Sequence, residues 1–124
     1  MAVVNDPAIL LARAAKLKLF IMLRRTEKPA ELAGAVGAHL RWMIEQEKAG
    51  LIFLSGPVAA GAGPTALDGL TIIRVPDMAA AEALARQDPF IKAGIVSYEM
   101  REWTVNEGAL PLFVTLSDSS VSIR

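Results

Sequence analysis

The sequence holds one histidine, His39, and so one imidazole. With an unperturbed pKa of about 6.5, an imidazole is the side chain best suited to proton transfer near neutral pH. His39 stands three residues after Val36 and four before Met43, which puts it at the border of an apolar helical stripe and points it toward a sheet. Spacing alone leaves two readings: a general base, or a histidine at the edge of a core, satisfied by a backbone carbonyl. A second stretch, ARQDPFIKAG at 85–94, breaks a helical pattern with an acid and a proline. Asp88 there caps a new helical turn, because a carboxylate accepts from free backbone N–H groups and Pro89 lacks the donor that would be orphaned. Alternatively it reaches His39, fixes the tautomer and stabilises the imidazolium. The two roles are compatible if one carboxylate oxygen caps and the other meets the ring.

LSGPV at 54–58 ends in a turn of small residues, Ser55, Gly56 and Pro57, open to close approach by a ligand or another backbone. A structural turn is the alternative. With no second histidine to activate it, Ser55 is assigned to substrate binding rather than to a nucleophile. GAGP at 61–64 contains a GxG, but no helix follows at the spacing phosphate binding needs, so the loop is read at most as a lid. Arg24, Arg25, Arg41 and Arg74 are scattered, and at most one of them anchors a carboxylate or phenolate. Trp42, Tyr98 and Trp103 read as core or interface aromatics.

The bulk composition narrows the chemistry. A chain of 124 residues is one domain with room for one site. Thirteen basic residues balance thirteen acidic ones, so no global field recruits nucleic acid or an acidic membrane surface. Without cysteine there is no thiolate chemistry or disulfide, and one histidine leaves little to hold a metal. No bound metal and no cofactor are expected. No stretch supplies the ~20 apolar residues of a membrane span, and the N-terminus lacks the basic region of a secretory signal, so the expected location is the cytoplasm. The apolar fraction of 53% is high for a small soluble domain, and a subunit interface is its simplest destination.

The elements that must position these residues follow from periodicity. Asn5 or Asp6 before Pro7 caps a short leading helix, PAILLARAA. LKLFIML at 17–23 is a strand apolar on both faces, with Leu17, Leu19, Ile21 and Leu23 on one and Phe20 and Met22 on the other. Residues 30–49 form an amphipathic helix with Leu32, Val36, Leu40, Met43 and Ile44 in its stripe, stopped by Gly50. LIFLSGPV and LTIIRV are strands around a loop, and an alanine-rich helix starts at Asp77. IVSYEMREWTV alternates as a half-buried strand. The order βαββαβ makes an α+β, ferredoxin-like protomer: a four-stranded antiparallel sheet with both helices on one face. A second subunit is expected to cover the bare face, through Phe20 and Met22. The tail after residue 106 has one apolar run, and three readings stand for it: an added edge strand, an arm that embraces a partner, or a loosely packed tail.

The order of HLRWMIEQEKAGLIFLSGP and DGLTIIRVPDMAAAEALARQDPFIKAGIVSYEMREW resembles the YciI-like family of the dimeric α+β barrel superfamily. The resemblance runs from about Leu17 to Trp103. It implies residues 1–16 as a helical extension, 17–106 as the barrel domain and 107–124 as a tail. It also implies a homodimer or higher homo-oligomer packed sheet to sheet, with His39 and Asp88 meeting in the active-site cleft. The DPF motif adds Phe90 to Ser55, Gly56 and Pro57 as substrate contacts. The function so implied is a cofactor-independent lyase or isomerase, dehydrochlorinase-like or muconolactone-isomerase-like, acting on a small cyclic or aromatic-derived metabolite. Two rivals stand beside it: a non-catalytic small-molecule-binding or accessory protein, in which Asp88 is only a cap, and a cofactor-free quinol monooxygenase, which would consume oxygen.

Overall fold

The computed structural model describes residues 5–59, 61, 63 and 67–123. In chain order the elements are α1 (Pro7–Arg13), β1 (Leu17–Thr26), α2 (Leu32–Lys48), β2 (Ile52–Pro57), β3 (Gly69–Ile73), α3 (Met78–Ala85), α4 (Pro89–Lys92), β4 (Val96–Val105), β5 (Leu112–Thr115) and β6 (Ser120–Ile123). A short 3-10 turn, Pro29–Glu31, leads into α2. Part of the loop read as a lid falls outside the described residues.

Residues 18–104 form one compact unit. Its strands lie in the order β2-β3-β1-β4, the ferredoxin-like arrangement, with β3 antiparallel to both β1 and β2. The β1–β3 register pairs Phe20 with Ile73, Met22 with Thr71 and Arg24 with Gly69. Since side chains alternate along a strand, these pairs share a face. Phe20, Met22 and Ile73 pack there with Met43 of α2 and Ala81, Leu84 and Ala85 of α3. This corrects the assignment of Phe20 and Met22 to a bare face: they form the core beneath the helices. The opposite face takes Ile21 and Leu23 of β1, paired with Ile72 and Leu70. β1 is apolar on both sides, so hydropathy gives no direction, and the burial of Arg24, at 7% exposure, is what marks the helix-side parity.

A bulge in β2 sets the site. Between Ile52 and Leu54 the register shifts, so that Ile52 pairs with Ile73 and Ser55 with Thr71. One extra residue on β2 thereby returns Ser55 to the helix side of the sheet. Helix α2 ends where Gly50 takes a φ of 80°, a left-handed conformation in which glycine meets no Cβ clash. Tyr98 of β4 packs against the core and its hydroxyl donates to the Glu82 carboxylate on α3. Burial, with that bond second, pushes the Tyr98 phenol above its usual range.

The described residues before Lys18 and after Thr104 form a second unit. Asp6 caps α1 by accepting from the Ala8 N–H, and the Ala15 N–H donates to the Asn106 carbonyl. Within this unit β5 and β6 pair with each other as an antiparallel hairpin. Among the described residues no helix is long and apolar enough to cross a membrane.

Candidate active site

Helix α2 turns His39 and Met43 inward, while Val36, Leu40 and Ile44 of the same stripe remain exposed. The exposed three line a cleft of about 810 Å³ between α2 and the β2 side of the sheet. An apolar stripe half in the core and half in a cleft explains why its hydropathy reads as an ordinary buried face. His39 lines this cleft too, with Ser55, Gly56, Pro57 and Phe90.

Asp88 is fully buried and lies behind the imidazole. His39 Nδ1 is 2.8 Å from Asp88 Oδ1, and the same oxygen accepts from the Phe90 N–H at 2.9 Å. Capping and histidine binding thus coexist, as the sequence allows, but on one oxygen rather than two. Where Asp88 is ionised it can only accept, and Nδ1 is then the donor of this bond. The Phe90 ring stacks on the imidazole, with centroids 4.1 Å apart and planes 12° from parallel. The short helix α4, begun by Asp88 and Pro89, therefore fixes the ring twice, by hydrogen bond and by stacking. Asp88 Oδ2 is buried without a hydrogen-bond partner.

The small-residue turn is differently placed. Ser55 Oγ lies 2.8 Å from the hydroxyl of the buried Thr71, so Ser55 has a structural partner as well as a place in the cleft wall. A Cβ at Gly56 would meet nothing within 4 Å. The crowded glycine is Gly69, where a Cβ would stand 2.9 Å from Arg24 Cζ.

Arg24 is the residue that sequence reasoning left among four scattered arginines. It lines the cleft, and its Nη2 donates to the Gly56 carbonyl at 3.3 Å. It shares the parity of Phe20 and Met22, whose facing only tertiary packing decides. Desolvation lowers its pKa, opposed by the charges of Asp88 and Asp68; an arginine guanidinium stays protonated in proteins. Asp68 also lines the cleft, where both its oxygens accept from the Thr26 N–H at 3.1 Å. Among the described residues no three His, Cys, Asp or Glu side chains converge as a metal site would require.

The arrangement is a buried carboxylate, an oriented imidazole and a cation around an apolar cleft. Such a set has the groups needed to take a proton from a bound hydroxyl and return it elsewhere. Residues 18–104 match the YCII-related domain family. The fold is similar to that of 5-chloro-2-hydroxyhydroquinone dehydrochlorinase from Burkholderia phenoliruptrix, solved in complex with 2,5-dihydroxybenzoquinone, with a TM-score of 0.53 and 23% identity over 68% of this chain and 92% of that one. No curated protein matches the chain.

Proposed function

The chain belongs to the YCII-related domain family, and from that premise we propose that it is a cofactor-independent lyase or isomerase moving a proton on a small cyclic or aromatic-derived metabolite. The observation that carries the reading is the 2.8 Å contact between His39 Nδ1 and the buried Asp88 carboxylate, with the imidazole in the cleft wall. His39 is general base and then general acid, and Asp88 orients it and stabilises the imidazolium. Ser55, Gly56, Pro57 and Phe90 shape the pocket around the ring of the substrate. The working form is a homodimer or higher homo-oligomer, with the half-buried sheet face of Ile21, Leu23 and Leu70 against a second copy.

The structural neighbour's substrate gives a reaction on which to test this. Loss of HCl from a chlorinated hydroxyhydroquinone breaks two O–H bonds and the C–Cl bond. One proton goes to the carbon that bore chlorine, the other leaves to solvent, and chloride departs with its bonding pair, so the ring ends as a hydroxyquinone. The oxygen-to-carbon proton is the one His39 carries. With 5-chloro-2-hydroxyhydroquinone in deuterated water, without oxygen or added cofactor, we expect chloride release with one deuterium on the carbon that lost chlorine. Chloride release that places no solvent deuterium there contradicts the proton shuttle.

The rival binding-protein reading draws on the second bond of Asp88, to the Phe90 N–H, which is a capping contact. It predicts ligand binding without turnover.

A further inference from the structure

Arg24 is a buried cation in the wall of the cleft that His39 lines. A guanidinium offers five N–H donors in a fixed fork. Among the described residues its acceptor is the Gly56 carbonyl, and Nε, closed off from solvent, has none. The ion pairs among the described residues do not include it; Asp88 and Asp68 act on it through space. Burying a charge without a contact partner is destabilising, and yet the sheet makes room for this one. β3 presents Gly69 opposite Arg24, where any Cβ would press on the guanidinium. The Ser55–Thr71 bond stands on the same face, so those two hydroxyls are engaged with each other.

We propose that Arg24 is the oxyanion arm of the cleft: its guanidinium holds the substrate oxygen that becomes negative as His39 takes the proton. The inference rests on the proton-transfer reading above and names its substrate class, a planar phenol or enol. The charge arrangement fits that class. Once His39 is protonated, Asp88 is neutralised by the imidazolium beside it, and Arg24 is left to face the new anion across the cleft. Asp68 and Glu47 also line the cleft, and their charges disfavour a polyanion such as a phosphate ester. Positive charge set where negative charge develops stabilises the product of the proton transfer more than the neutral substrate.

The test is calorimetric binding of two probes at alkaline pH: 4-nitrophenol, there present as a phenolate, and 4-nitroanisole, its neutral methyl ether. Arg24→Met is expected to weaken phenolate binding by about tenfold or more, the loss of one charge-assisted hydrogen bond, while the ether binds within about twofold of wild type. Gly69→Ala, which drives the guanidinium from its seat without removing a charge from the chain, is expected to do the same and serves if Arg24→Met does not fold. Phenolate affinity within about twofold of wild type in the variant tested overturns the proposal. So does a parallel loss of both probes, which would make Arg24 a shaping residue only. The phenolate preference is expected to persist in His39→Ala. If that variant turns over normally, the proton-transfer reading falls while this binding result stands on its own.

Discussion

His39→Ala is expected to lower turnover by about 10²- to 10⁴-fold, the range a positioned general acid-base contributes. The side chain is 8% exposed, stacked on Phe90 and bonded to Asp88, so its removal also opens a small cavity beside the cleft. That cavity supplies a control. Imidazole added to the solvent is expected to enter it and restore part of the activity, because the missing function is a proton carrier rather than a shape. Asp88 loses a partner in the same variant, and a fall in stability of about 1–3 kcal/mol accompanies the change. A variant that keeps turnover within a few-fold of wild type, measured well below its melting temperature, excludes His39 as the base.

The second large effect separates two functions of one oxygen. Asp88 Oδ1 accepts from both His39 and the Phe90 N–H. Asp88→Asn keeps an oxygen to cap α4 but cannot neutralise an imidazolium, so turnover is expected to fall by about 10²-fold or more. Its melting transition moves less than that of Asp88→Ala. The alanine variant strands two buried donors as well, costing about 1 kcal/mol for the cap and about 1–3 kcal/mol for an unpaired imidazole N–H. Kinetics and thermal denaturation of both variants together are the measurement. If the asparagine variant turns over like wild type and only the alanine variant is unstable, Asp88 is a cap and nothing more.

Much of the fold is legible in the sequence because each element carries its own punctuation. Gly50 stops α2, Asp77 starts α3, and Asp88 with Pro89 restarts the chain as α4. The His39–Asp88 pair was within reach for the same reason: each residue is set by a local signal, one by a helical stripe and one by a cap. Their contact depends on packing α2 against α4, which a local pattern does not encode. The facing of β1 was not legible, since Phe20 and Met22 are as apolar as Leu19 and Ile21. Only tertiary packing breaks that tie, and it carries Arg24 into the interior along with Phe20. The role of Gly69 was hidden likewise, because a glycine at a strand start reads as a loop end until its neighbour across the ladder is known to be Arg24. The β2 bulge is a one-residue event with no hydropathy signature, and yet it decides that Ser55 lies beside Thr71.

With one histidine in the chain, nitrogen-15 NMR of the imidazole gives one set of signals, and it tests the central arrangement most directly. At alkaline pH, where an imidazole is neutral, Nδ1 is expected to appear protonated and Nε2 as a bare acceptor. The phenolic probe should perturb Nε2 far more than Nδ1. Asp88→Asn should change the tautomer balance. A spectrum with the proton on Nε2 and the lone pair on Nδ1 would contradict the account, because no base would then face the cleft and the 2.8 Å approach of Asp88 could not be the bond that orients one.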